Sequence, residues 1–224
     1  MSSEREVIVI VDYEMGNLRS VQKAFERLGY AAEVSDKPDV VAKAERLVVP
    51  GVGAFGDAMT ALRKRGLVEP IRAFVASGRP MLGICLGLQV LFEVSEEVAG
   101  LTGSAPPPTG MLETGLGLVP GRVVRFSAEV IRQGLKVPHM GWNVVRPVRE
   151  SPLWAGLPQE GSYFYFAHSY YAAPADDAVT IGRTDYGTAF TSAIGVGNLY
   201  ATQFHPEKSQ AAGLALLQNF VTRT

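Results

Sequence analysis

Between residues 7 and 94, short β-branched runs alternate with segments of helical periodicity, and this alternation restricts the fold more than any other feature. Val7–Val11 has the length and branching of a buried strand. Asn17 to Leu28 then sets Leu18, Val21, Phe25 and Leu28 on one helical face, and Gly29 stops it. Ala31–Val34 reads as a second strand and Leu47–Val49 as a third, ended by Pro50-Gly51. Helical patterns follow over Phe55–Arg65 and Leu67–Ser77. Met81–Ile84 reads as a fourth strand, and Leu86–Val94 as the helix after it. Strand–helix alternation with short links predicts an α/β fold whose mixed, mostly parallel central sheet carries helices on both faces.

The second half is richer in strands. Val123–Phe126, Trp142–Val145, Tyr163–Phe166, Val179–Arg183, Ala189–Ile194 and Leu199–Gln203 carry β-type residues between Gly or Pro breaks. Ser209–Val221 is the last predicted helix. Thr102–Gly115, with Pro106-Pro107-Pro108, reads as a surface loop. At 224 residues the chain suits one α/β domain over 1–224, large enough to bury roughly 70% of its extended surface.

A formal net charge of −1 argues against a global basic field for nucleic acid or an anionic membrane. The single cysteine excludes an internal disulfide framework and a Cys-based zinc cluster, so no metal or cofactor is expected. A lone thiol fits a reducing compartment. No signal peptide is read before Val7, and the longest apolar stretch, Met81–Phe92, is too short and interrupted to span a membrane. A soluble, cytoplasmic protein is the expectation.

Chemistry concentrates at Gly83-Ile84-Cys85-Leu86-Gly87, where an apolar strand runs into a Cys framed by glycines before a helix. This is a nucleophile-elbow pattern with sulfur as the nucleophile. A tight strand-to-helix turn needs small neighbours. A helix N-terminus beneath the sulfur favours thiolate, and the Leu86 N–H faces a developing oxyanion. The plainer alternative is a buried core cysteine.

A thiol needs a base. His205 follows the strand Leu199–Gln203 in Gln203-Phe204-His205-Pro206-Glu207. Pro206 is expected to hold the backbone extended, so that His205 and Glu207 project to one side and Glu207 orients the imidazole. A turn with a surface Glu and a capping His is the alternative. His139 and His168 have no neighbouring carboxylate in sequence and read as hydrogen-bonded structural histidines.

Together, Gly83–Gln89 and Gln203–Glu207 resemble the motifs of the class I (triad) glutamine amidotransferases, which implies a flavodoxin-like α/β core. Within that family, Asp12–Val21, Pro50–Phe55, Pro138–Asn143 and His205–Gln210 are similar to the glutaminase subunits of imidazole glycerol phosphate synthases. The resemblance implies that Cys85 attacks the glutamine side-chain amide, releases ammonia and forms a γ-glutamyl thioester. Water activated by His205 then frees glutamate. It implies an oxyanion hole from Leu86 and the Val52–Gly53 backbone, with a peptide flip near Val52 that Gly51 and Gly53 ease. It assigns substrate contacts to Gln89, Glu97, Ser169 and Tyr170. It also implies a heterodimer with a (β/α)8-barrel cyclase subunit that consumes the ammonia in histidine biosynthesis, and an interface including Asn17, Trp142 and Lys208. The Pro-rich stretch 102–109 looks longer than the family's loop, which bears on the alignment around Glu97. Three rival readings remain open on the residues: a class I subunit serving another synthase, a non-enzymatic module on the same fold, and a hydrolase of other small amides.

Overall fold

The computed structural model of the chain describes residues 7–98 and 111–224; the Pro-rich stretch 102–109 lies outside them. In chain order the strands are β1 (Ile8–Val11), β2 (Ala32–Ser35), β3 (Arg46–Gly51), β4 (Met81–Cys85), β5 (Phe92–Ser95), β6 (Glu113–Thr114), β7 (Val119–Arg125), β8 (His139–Pro147), β9 (Ser162–His168), β10 (Tyr170–Pro174), β11 (Thr180–Asp185), β12 (Ala189–Val196) and β13 (Leu199–Thr202). The helices are α1 (Leu18–Arg27), α2 (Pro38–Lys43), α3 (Phe55–Lys64), α4 (Val68–Ala76), α5 (Leu86–Gln89), α6 (Ala128–Arg132) and α7 (Gln210–Arg223).

The expected mixed sheet with helices on both faces is present. Its order is β2-β1-β3-β4-β13-β12-β10-β7-β5-β6. The first five strands are all parallel. Antiparallel pairing begins at β12, and a β8–β9 ribbon joins through β11. Alternate side chains of β1 enter separate cores, as the period of a strand requires. Val9 and Val11 pack with Phe55 and Leu62 of α3 and Phe74 of α4. Ile8 and Ile10 pack with Phe25 of α1 and with Leu216 and Phe220 of α7. Both faces are therefore dry, which is why these strands read as unbroken apolar runs.

The helix expected over Leu86–Val94 is corrected: α5 ends at Gln89, and Phe92–Ser95 is a strand. Leu88, Leu91 and Phe92 sit at helical spacing, but β5 pairs with β7 and β6, and that sheet extension overrides local periodicity. Part of the predicted loop, Glu113–Thr114, is the edge strand β6 on β5. The strand expected from Val123 already begins at Val119, and β10, α2 and α6 carry no clear signal in the sequence. Each of these is short and only partly buried.

The parallel half matters most for chemistry. Gly51 pairs with Cys85, and Thr202 with Ile84. The carboxyl ends of β3, β4 and β13 thus bring Pro50–Gly53, Cys85 and Gln203–Glu207 to one edge of the sheet, where open α/β sheets bind their ligands.

Candidate active site

Cys85 ends β4 with φ 56° and ψ −108°, outside the regions an L-residue prefers. Such a conformation costs of order 1–3 kcal/mol and persists only where packing enforces it. The glycine frame supplies the packing. A β-carbon on Gly83 would lie 2.7 Å from the Gly87 carbonyl oxygen, and one on Gly87 would lie 1.7 Å from that of Val49. The turn is pressed backbone-to-backbone onto β3, and side chains there would lift Cys85 away. The sulfur is buried, its residue 5% exposed. The helix behind it is a single turn, so the full helix dipole expected from Leu86–Val94 is absent, and the group left to move a proton is the candidate base, His205.

That base is held from three sides. The His205 N–H donates to the Tyr165 carbonyl at 2.9 Å. The His205 carbonyl accepts the Ser209 hydroxyl at 2.6 Å, and Ser209 Oγ accepts the Tyr165 N–H at 2.9 Å. His205 Nδ1 meets Glu207 Oε1 at 2.9 Å, both side chains almost fully buried. The geometry linking them differs from the expectation. His205 itself is extended, but Pro206–Lys208 forms a 3-10 turn that swings Glu207 back beneath the ring.

Burial pulls the imidazole toward its neutral form. The charge of Cys85 and a second contribution from Glu207 outweigh burial and push His205 up to about 10. His205 Nε2 is buried and has no partner of hydrogen-bond geometry. Cys85 nevertheless raises the imidazole both by its charge and as a hydrogen-bonding neighbour, so the sulfur stands beside the ring.

Cys85 lines a narrow cavity of about 170 Å3 with Val52, Gly53, Leu86, Gln89 and Glu97 on one side and His168, Ser169 and Tyr170 on the other. Its volume is well under the roughly 300–1,000 Å3 of sites for larger ligands and suits an amino-acid-sized one. Larger hollows of about 490 and 580 Å3 lie at residues 149–159 and beside Val7 and Glu33, but contain no Cys or His. Among the described residues, no group of three His, Cys, Asp or Glu side chains is arranged to hold a metal ion.

All four residues predicted to contact substrate line this cavity. Gln89 Nε2 donates to the Tyr170 carbonyl at 2.9 Å and to Gln203 Oε1 at 3.1 Å, which commits both its hydrogens. Glu97 Oε2 accepts the Phe55 N–H at 2.9 Å, tying the cavity wall to the segment after Gly53. Burial raises Glu97 above the usual carboxylate range. Val52 is 39% exposed, and Gly53 has φ 108°, a conformation glycine adopts freely.

The three predicted interface residues do not touch the cavity. Asn17 is exposed and caps α1, accepting the Ser20 N–H at 3.4 Å. Trp142 is 46% exposed and meets the Tyr165 ring edge-on at 6.2 Å. Lys208 Nζ lies 5.8 Å from the same ring. Tyr165 in turn stands 6.4 Å from the His205 ring, so it connects this surface to the base.

Gln203 and Tyr13 were not assigned a role from sequence, and His139 and His168 only a structural one. Gln203 Nε2 points at Cys85 Sγ from 3.7 Å. Its i, i+2 relation to His205 on an extended segment was the available signal. The Tyr13 hydroxyl, fully buried, donates to the Pro50 carbonyl at 2.7 Å and so grips the strand beside Cys85. His139 and His168, expected to be structural, do hydrogen-bond to each other at 3.0 Å, and His168 also lines the cavity.

The family model for glutamine amidotransferase class-I matches residues 9–224. A protein of Syntrophotalea carbinolica named imidazole glycerol phosphate synthase subunit HisH is 53% identical over 216 residues, spanning 96% of this chain and 98% of that one. The protein of that name from Rhodopirellula baltica is 51% identical over 216 residues, spanning 96% and 97%. The one from Moorella thermoacetica is 50% identical over 213 residues, spanning 95% and 93%. Among solved structures, PurLQS from Thermotoga maritima superposes with a TM-score of 0.70 at 19% identity, covering 97% of this chain and 98% of that chain. A crystal structure of glutamine amidotransferase gives 0.68 at 20% identity, covering 95% and 96%. At such identities the superpositions bear on the fold alone.

Proposed function

Because the chain belongs to the class I glutamine amidotransferases, we propose that it is the glutaminase subunit of an imidazole glycerol phosphate synthase, acting as one domain. The observation that carries this reading is the buried His205–Glu207 pair at 2.9 Å beside a sulfur on a strained elbow. Identity near 50% along nearly the whole chain favours this synthase over others that use the same fold.

In the proposed reaction, Cys85 Sγ attacks the side-chain carbonyl carbon of glutamine. The carbonyl oxygen becomes an oxyanion, held by the Leu86 N–H and a backbone N–H of Val52 or Gly53 after that peptide turns. His205, protonated and oriented by Glu207, gives its proton to the leaving nitrogen. The C–N bond breaks, ammonia departs and a γ-glutamyl thioester remains. Water then attacks the thioester as His205 takes its proton, and glutamate leaves with the thiolate restored. Gln89, Glu97 and the Ser169–Tyr170 backbone hold the amino-acid end of the substrate. Ammonia passes to a (β/α)8-barrel cyclase subunit docked over Asn17, Trp142 and Lys208. No helix among the described residues is long and apolar enough to cross a membrane. The lone buried thiol suits a reducing cytoplasm.

The test is glutaminase turnover with and without a cyclase barrel of this synthase. Turnover should be low for the chain alone and rise on complex formation. No turnover in the assembled complex would sink the reading.

A further inference from the structure

The hydrogen bonds around Tyr170 belong to one chain that begins on β8 and ends at the nucleophile. Asn143 opens it. Its Oδ1 accepts the Val144 N–H at 2.8 Å, and its Nδ2 donates to the Asp185 carbonyl at 2.9 Å. These two contacts decide which way the amide points. Nδ2 also faces His139 Nε2 at 3.3 Å, so Nε2 is an acceptor and the ring proton sits on Nδ1. His139 Nδ1 then donates to His168 Nε2 at 3.0 Å. That leaves the His168 proton on Nδ1, which donates to the Tyr170 carbonyl at 2.9 Å.

The same carbonyl accepts Gln89 Nε2; Gln89 reaches Gln203, and Gln203 reaches Cys85 Sγ. Only one direction satisfies the histidine segment while both rings are neutral. Burial keeps them so, depressing His139 to about 4 and His168 to about 3. The rings are also clamped: His139 stacks between Phe166 and Tyr186, with centroids at 4.7 and 3.9 Å.

We propose that Asn143, His139 and His168 are positioning residues of the glutamine site, forming a relay whose direction the Asn143 amide sets and whose output is the Tyr170 carbonyl. The relay orients that carbonyl, and through it Gln89 and the Ser169–Tyr170 wall. It rests on the glutaminase reading and adds a second set of residues to it. The strand that carries the head of the relay also presents Met140 and Trp142 outward, 63% and 46% exposed. His139 and Asn143 alternate with them on the inward side.

Asn143→Asp tests the relay. A carboxylate has no hydrogen to give, so at a pH high enough to keep His139 neutral beside the new charge, His139 turns its proton to Nε2, His168 turns its own to Nε2, and a lone pair meets the Tyr170 carbonyl. In the assembled complex the glutamine KM should rise about tenfold, one hydrogen bond's worth, with a smaller effect on kcat. Asn143→Ala removes more packing but forces no reversal, and its KM should rise only about threefold. If Ala is as damaging as Asp, or neither moves KM, the relay idea is wrong.

The second readout is the tautomer itself. Nitrogen-15 NMR of the chain, which has three histidines, should find His168 protonated at Nδ1, and at Nε2 after Asn143→Asp. Protonation of His168 at Nε2 in the unaltered chain overturns the proposal. Failure of the glutaminase reading would show separately, as no turnover in the unaltered complex whatever the tautomers.

Discussion

Gly87 lies against Val49 so closely that a β-carbon on it would sit 1.7 Å from the Val49 carbonyl oxygen. The contact joins the turn after the nucleophile to β3, the strand that leads into Pro50–Gly53. One backbone approach therefore sets both the height of Cys85 and its distance from the segment assigned to the oxyanion. Gly51 repeats the logic, since a β-carbon there would lie 2.1 Å from the Tyr13 hydroxyl.

Gly87→Ala should accordingly cost roughly 3 kcal/mol or more, because the obstruction is backbone and cannot rotate away. Gly66→Ala is the control. Its β-carbon meets open space, and only its φ of 65° is strained, so about 1 kcal/mol is expected. Denaturant unfolding of the two chains gives the comparison, and equal losses would refute the steric account.

Cys85→Ala should lower glutamine-dependent synthesis by the assembled enzyme more than about 1,000-fold. Synthesis from added ammonium salt should remain, because the second reaction belongs to the partner. Parallel assays with the two nitrogen donors decide it, and loss of both would contradict the proposed division of labour.

Glu207→Gln should move the high-pH limb of glutamine kcat/KM downward. Burial favours the neutral ring of His205, while Cys85 and Glu207 together hold it up at about 10. Removing the carboxylate charge removes part of that opposition, so the proton needed by the leaving ammonia is lost at lower pH. A pH–rate profile of the complex tests this; an unmoved limb would exclude Glu207 as the orienting group.

Gln203→Leu should slow thioester formation more than about tenfold and also cost roughly 1–3 kcal/mol of stability, because it leaves the buried Gln89 amide without one of its acceptors. It removes the donor aimed at Cys85 Sγ, and hydrogen bonds to a charged group are worth roughly 1.5–3 kcal/mol. Rapid-quench measurement of the first turnover separates this step from thioester hydrolysis.

Stability should fall as the pH drops from about 6.5 toward 4 and 3. The unfolded chain binds protons on His139 and His168 near 6.5, whereas burial delays this in the folded chain. Across that window the unfolded state holds more protons, and acid favours it. His168→Gln should flatten the dependence when unfolding is measured at several pH values; an unchanged slope would mean that another group is responsible.

Much of this molecule was readable from residues alone. Runs such as Ile8–Val11 and Met81–Ile84 are apolar throughout because both faces of their strands are buried, and that signal survives without coordinates. Gly83-Ile84-Cys85-Leu86-Gly87 and His205-Pro206-Glu207 were legible because each compresses its chemistry into a few positions. Local pattern failed where distant pairing decided the outcome. Leu86–Val94 has helical spacing, yet Phe92 and Val94 join a sheet edge supplied by residues 113–125.

The sequence by itself determined the strand–helix alternation of the first half, the elbow and the spacing of His205 and Glu207, since each depends on neighbours a few residues apart. Tertiary structure alone decided that Gln203 faces the sulfur, that Tyr13 grips Pro50, and that His139 and His168 form a directed pair. Those bonds join residues separated by 118, 37 and 29 positions. A hydrogen bond across such a distance imposes no periodicity on the chain, and its donor and acceptor are matched only when the strands carrying them lie side by side.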